Sequence, residues 1–576
     1  MIKTYRNRPL PLLWLFLLSC PLIYSCQHDT KVTNNTKSLK QKTDSYYGTL
    51  EPFASEAVYF LMTDRFVDGD PSNNHAEQGG PYPTFRRPIV SKDGRKAYVG
   101  YMGGDFKGIL DNADYIKEMG FTSIWLTPIV DQPDEAFSGG EPIEFGGAFK
   151  DGGKTGYHGY WGANFFQVDE HLPSKNLSFK QLTSKLRQDF GIKTVLDVVL
   201  NHGSPAFSMP VQQKKYGQIY DQDNELVADH HNLEPINLDY NNPLQYFYNK
   251  KTEIVQLSDI NENNPATLEY FTNAYLRWID QGADAFRIDT IKHMPHQFWK
   301  SFSDNIREQY PNFFMFAESY SFDANFIAEH TLLKNGGISV LDFPGRKSMI
   351  KVFENPSSSY SDITSYLHLE NGPYYNPYEL MIFYDNHDMS RMNASDAGFI
   401  DAHNWLFTSR GIPVVYYGSE IGFMAGTKEH EGNRNYFGES LILSNKDNII
   451  RKNLNRIANI RKNSIALQKG LQINLKFEQQ TAAFIRVYEH NGINQTALVL
   501  LNKGNVDVDF SIDQYLTSGE WIDATNHKVA YIGSNKSLKD RLKPHQVKVL
   551  LFNQKTTNTG LIKVMNNLML QSDTKK

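Results

Sequence analysis

Between residues 57 and 418, short apolar runs alternate with longer segments of mixed polarity. The runs fall at 57–63, 123–127, 193–200, 284–289, 313–318, 339–343, 381–385 and 414–418. Each is rich in Val, Ile, Phe or Tyr, and most end in a polar or charged residue, the pattern of buried strands with functional ends. Eight such units separated by helix-length segments predict an α/β fold, a (β/α)8 TIM barrel over 49–468, with its site at the C-terminal ends of the strands. Two stretches break the alternation. Residues 202–260, after the third run, are irregular and crowded with Asn, Asp and Tyr. A loop that long inside a compact domain usually carries function, so 203–260 is read as a domain inserted over the barrel mouth. After about residue 470 only strands recur, at 483–488, 496–501, 507–512, 520–522 and 547–552. They predict a C-terminal antiparallel β-sandwich over 469–553. Leu561, Val564, Met565 and Leu568 return to helical spacing, which predicts a short docking helix in the tail, 554–576.

The N-terminus has another character. Lys3, Arg6 and Arg8 precede an apolar run at 10–18, too short for a bilayer, which needs about 20 apolar residues. The chain's two cysteines, Cys20 and Cys26, each follow a serine here, and both contexts resemble bacterial lipoprotein cleavage boxes. The polar stretch after Cys26 argues for that one, giving a lipoprotein-type signal peptide at 1–26 and a flexible tether at 27–48. The expectation is an exported protein, periplasmic or at the cell surface, held to a membrane only through a lipid anchor, or else simply secreted. No disulfide framework is available, so an exported fold must rely on its core and on metal. With 40% hydrophobic residues a large core is within reach, and a net charge of -5 argues against nucleic acid as a partner. Aromatic residues, at 13%, serve equally for core and for stacking on sugars, and composition does not separate the two uses.

Chemistry enters where acids close apolar runs. Asp197, Asp289, Glu318 and Asp388 all lie at or just after strand ends, so a barrel would bring them to one rim. Singly, each reads as a helix cap or an ion pair; together they do not. Their surroundings are specific: Asp197-Val198-Val199-Leu200-Asn201-His202, Gly282-Ala283-Asp284-Ala285-Phe286-Arg287-Ile288-Asp289, Phe314-Met315-Phe316-Ala317-Glu318 and Phe383-Tyr384-Asp385-Asn386-His387-Asp388. In order and spacing these resemble the four signature regions of the α-amylase family, glycoside hydrolase family 13. Leu257-Ser258-Asp259-Ile260-Asn261 resembles the family's extra region in the inserted domain. The resemblance spans about residues 50–553.

The resemblance implies a retaining glycoside hydrolase that cleaves α-1,4-glucosidic bonds in starch, maltodextrins or related glucans. Asp289 is then the nucleophile, Glu318 the acid/base and Asp388 the third acid, which binds hydroxyls of the distorted sugar. Arg287, two residues before Asp289 on the same strand face, would keep the nucleophile ionised. Tyr160, in Tyr157-His158-Gly159-Tyr160-Trp161, is implied as the platform under the sugar, and His202 and His387 as contacts to the same ring. Lys292 and His293 match members that bind a leaving glucan, and Tyr320 resembles the acceptor aromatic of transferases. Asn201, Asp259 and the carbonyl of His293 match the family's Ca2+ site. Asp68, Asp70, Asn73 and Asn74, with Gly103 and Asp105, resemble the additional N-terminal Ca2+ site of cyclodextrin glucanotransferases. Cyclising enzymes carry an aromatic where this chain has Val255, and they carry two further C-terminal domains. A three-part amylase plan therefore leads, with a 4-α-glucanotransferase or a cyclomaltodextrinase- or neopullulanase-like enzyme as the alternative. A surface lipoprotein that binds glucan without cutting it is the non-enzymatic reading, against which the intact acids stand.

Overall fold

The computed structural model describes residues 45–573, with side chains described to residue 569. The signal peptide, both cysteines and most of the tether lie outside the described residues. Among the described residues no helix is long and apolar enough to cross a membrane.

Eight parallel strands form the barrel: Val58–Leu61, Ser123–Leu126, Lys193–Val198, Ala285–Ile288, Phe314–Ala317, Ser339–Val340, Met381–Ile382 and Ile412–Tyr416. Each pairs with its sequence neighbour, and the first also pairs with the eighth. The ring closes between the sixth and seventh through a bridge from Leu341 to Met381 and a 2.9 Å bond from Asp342 N–H to the Met381 carbonyl. The first, second, fourth and fifth strands are buried at every position, as a parallel sheet with helices outside and side chains inside requires. The helix Pro265–Asp280 shows how the shell is fixed. Asn264 caps it, Pro265 opens it where no N–H is needed, and the hydroxyl of its Tyr275 bonds the Val199 backbone.

The inserted domain does not stand alone. Gln218–Tyr220 and Leu226–Asp229 lie within 203–260, but they share a four-stranded sheet with Asn164–Val168 and Val130–Asp131, from the loop after the second barrel strand. Leu257–Asp259 pairs separately with His202–Pro205. The mouth is thus built by two loops woven together.

The C-terminal module holds eight strands, six in one antiparallel sheet and two, Val508–Ile512 and Leu538–Leu542, in a second. Its core is sealed by the tail helix Thr559–Asp573, which buries Leu561, Met565, Leu568 and Met569. Residues 45–48, expected to end the tether, are stitched down instead: Tyr46 pairs with Glu489 as a β-bridge and Gly48 N–H donates to Lys469.

Candidate active site

The strand ends deliver the acids as the pattern of acids demanded. Arg287 pairs in register with Asp197 on the third strand and Phe316 on the fifth, so its side chain enters the barrel between them. It is fully buried. One terminal nitrogen lies 2.8 Å from Asp197 Oδ1 and 2.7 Å from Asp289 Oδ1; the other lies 2.9 Å from Glu318 Oε2. Three carboxyl groups around one guanidinium exceed its charge, so the cluster favours keeping protons on some of them. Asp197 turns its other oxygen to the Tyr160 hydroxyl at 2.8 Å and the Trp125 indole N–H at 3.1 Å. It therefore sits beneath the site as a brace. Burial raises its pKa to about 7, against the pull of Arg287.

Asp289 has Oδ1 committed to Arg287 and Oδ2 3.9 Å from His202 Nε2. Thr290 follows it with φ +50°, a left-handed conformation that is strained for a β-branched residue. That residue turns the chain sharply into the short helical turn Ile291–His293. Glu318 keeps Oε1 buried and without a partner. Burial, aided by the charges of Asp388, Asp289 and Asp197 and opposed by Arg287, pushes its pKa up to about 8.

Asp388 enters from the opposite wall and is the most open of the three acids, its side chain 31% exposed. His387 Nε2 is 3.2 Å from one of its oxygens and Arg434 2.6 Å from the other. The His387 ring lies parallel to Tyr160, centroids 5.2 Å apart. Burial holds both His202 and His387 below the usual histidine range, so they face the cleft neutral. Lys292 donates to the Tyr320 carbonyl at 3.1 Å and stands over its ring. His293 pairs through Nδ1 with Glu253 at 2.8 Å. Tyr160, His202, Asp289, Glu318, Tyr320, His387 and Asp388 line one cleft of about 520 Å³ together with Lys292, His293 and Val255, itself at φ +40°, while Arg287 and Asp197 lie beneath it.

Sequence reasoning missed a group on the same cleft. Arg434 bonds Glu429 at 2.9 Å, and Glu429 in turn lies 3.5 Å from Lys154, which is held by Asp151. Burial works against the Glu429 charge, yet Arg434 and Lys154 keep its pKa well below the carboxylate range. Glu429 and Arg434 come from one loop and Asp151 and Lys154 from another far earlier in the chain, and the two stretches share no motif; only a third acid searching for a cation would have pointed to Arg434.

Two groups of oxygens bear on metal binding. Near the N-terminus, Asp68 Oδ1, Asn73 Oδ1 and Asn74 Oδ1 are buried without partners. A Cβ on Gly103 would meet the orphaned Asn74 Oδ1 at 2.3 Å and Asp68 Oδ2, which accepts from Asn74 Nδ2, at 2.9 Å, so Asp68 and Asn74 face that glycine. Buried oxygens left without donors, gathered within one short turn, suit a hard cation. Asp105 spends its oxygens on the amides of Gly69, Asp70 and Gly108, and Asp70 turns its carboxylate to Ser72. At the barrel mouth, Asn201 reaches Asp259 Oδ1 at 3.4 Å, and Asp259 Oδ2 is buried and unpaired, its pKa raised by burial to about 7. No described contact joins His293 to that pair. Asp131 and Asp134 form a further acidic group with Glu170, but the Lys215 ammonium lies 2.9 Å from each of the first two.

Comparison with known proteins bears on the whole arrangement. The α-amylase catalytic-domain family model matches residues 60–464. An α-amylase of Niallia circulans is 30% identical over 488 residues, covering 82% of this chain and 85% of that protein. A cyclomaltodextrin glucanotransferase of Klebsiella oxytoca is 28% identical over 510 residues, covering 79% and 71%. The crystal structure of a cyclomaltodextrin glucanotransferase with a three-domain ABC distribution superposes at TM-score 0.69 and 25% identity, over 87% of this chain and 99% of that one. With most of the barrel matched and its acids gathered on one rim, the chain belongs to the α-amylase family, glycoside hydrolase family 13.

Proposed function

We propose that this protein hydrolyses α-1,4-glucosidic bonds of starch and maltodextrins with retention of configuration, Asp289 acting as nucleophile and Glu318 as acid/base. The observation that carries the reading is the Arg287 guanidinium with Asp289 at one end and Glu318 at the other. It fixes two carboxyl groups side by side, both ion-paired to Arg287, of which Glu318 also keeps a buried orphaned oxygen. Asp289 Oδ2, the less committed oxygen, attacks the anomeric carbon. Glu318 Oε1 gives its proton to the glycosidic oxygen, and the leaving glucan departs with it. Glu318, now ionised, takes a proton from water as that water attacks the same carbon, which releases Asp289 and the sugar. Asp388, steadied by Arg434, accepts from hydroxyls of the distorted ring, while Tyr160 supplies its floor and neutral His202 and His387 its side contacts.

Calcium fits both oxygen groups as a structural ion. Asp68, Asn73 and Asn74 would hold one at the N-terminal site, and Asn201 and Asp259 another between insert and barrel. Its chemistry is to neutralise buried carboxylates and tie loops, with no part in the bond-breaking step.

Transfer to a second sugar is the competing outcome for the glycosyl-enzyme. The exposed Tyr320 and the glucanotransferase relatives favour it, and the three-domain glucanotransferase removes domain count as an argument against it. Val255 offers no ring for cyclisation. Products from maltoheptaose decide: shorter maltooligosaccharides with a minor longer fraction are expected. Predominantly longer or cyclic products would make the protein a transferase, and no cleavage would refute the enzyme.

Export and lipid attachment at Cys26 complete the reading, on the strength of the leader sequence. Cys26→Ala should move the protein from the membrane to the soluble fraction, and Cys20→Ala should not.

A further inference from the structure

Beyond Glu318 the chain runs through Ser319, Tyr320, Ser321 and Phe322 before the helix Ala324–Ala328 begins. The rings of Tyr320 and Phe322 lie 6.1 Å apart, and both rest on Phe343, at 5.2 and 6.1 Å. Phe343 is wholly buried, whereas Tyr320 and Phe322 are 39% and 41% exposed. Each carries a lysine: Lys292 Nζ is 5.6 Å from the Tyr320 ring centre and Lys347 Nζ 5.9 Å from that of Phe322. Tyr320 lines the catalytic cleft, and the Phe322 ring stands beside that of Tyr320, 6.1 Å away.

The pair is therefore a repeated unit, an outward ring on a rigid base with an ammonium beside it. Packing gives no reason for Phe322 to show so much of its surface, since Phe343 already fills the core beneath. An exposed ring on fixed support, continuous with a binding cleft, marks a ligand contact. The apolar C–H face of a glucose unit covers such a ring, and its hydroxyls accept from the lysine. We propose that Phe322, with Lys347, forms a further glucose-binding position for the leaving side of the glucan, one unit beyond Tyr320. It rests on the assignment of Tyr320 to that side. Phe322 then sets how many units the enzyme prefers to keep on the reducing side of the cut.

The test compares Phe322→Ala and Phe322→Trp with the parent on reducing-end-labelled maltoheptaose and on 4-nitrophenyl maltotrioside, whose leaving group ends before Phe322. Phe322→Ala should lower kcat/KM on maltoheptaose roughly three- to tenfold. It should also move cleavage towards the reducing end, with the nitrophenyl substrate within twofold of the parent and Phe322→Trp restoring the pattern. An unchanged cleavage pattern, or an equal loss on both substrates, overturns the proposal. A parent that cleaves neither substrate instead defeats the glycosidase reading, and the proposal with it.

Discussion

At the scale of single residues, the site works by giving chemically identical groups different surroundings. Asp289 and Glu318 share one guanidinium, but only Glu318 keeps a buried oxygen without a partner. Asp289→Asn should therefore lower kcat by on the order of 10⁴-fold with KM little changed, measured on soluble starch. The raised pKa of Glu318, about 8, fixes the alkaline limb. The acid must start protonated, so kcat/KM should fall as pH rises through about 8. Stability follows the same group. Its folded pKa lies above its unfolded one, so the folded state holds the extra proton, and stability falls as pH rises from about 4.5 to 8. Glu318→Gln should accordingly gain in Tm relative to the parent as pH climbs through that window; a constant difference would contradict the assignment. These acids were legible in the sequence because each closes an apolar run within a short motif. Arg434, Glu429 and Lys154 were not, because the contacts that bring them to the site, Lys154 to Glu429 and Arg434 to Asp388, join segments far apart in the chain.

At the scale of elements, apolarity marked burial more faithfully than it marked strand. The run at 339–343 yields a strand of two residues, Ser339–Val340. Asp342 then caps the helix Phe343–Phe353, whose first residue is as buried as any strand position. Conversely, Val529–Ile532, four apolar residues that are mostly exposed, and Leu538–Leu542, whose middle is charged, escaped notice as short edge segments. The oxygen-rich turn at Asp68–Asn74 was legible from composition alone, though Asp105 proves to be mainly a helix cap. Its orphaned oxygens make a thermal prediction. Chelating calcium should lower Tm by a few degrees, and Asp68→Ala should remove much of that response. If chelation leaves Tm unmoved, neither oxygen group holds a metal.

At the scale of the molecule, barrel and sandwich share one interior. Trp405 of the barrel packs against Phe477 and Phe484 of the sandwich. Arg486, fully buried, donates to the Thr408 carbonyl across the junction and to the Gly470 carbonyl on its own side, and His545 pairs with Asp401 across it. The two modules should unfold in one calorimetric transition, which Arg486→Met lowers by stranding two buried carbonyls at roughly 1–3 kcal/mol each; two separate transitions would show the modules to be independent. The sequence foretold both modules but not their fusion, since contacts between them leave no periodic trace. The woven sheet at the barrel mouth has its own consequence. Excising 203–260, or grafting it from a relative to retune specificity, would remove the Tyr220 partner of Asn164 and leave Asn164–Val168 paired only with Val130–Asp131, an open edge. Such chimaeras would stick to one another through that raw edge, so any exchange of substrate preference must carry both loops as one cassette.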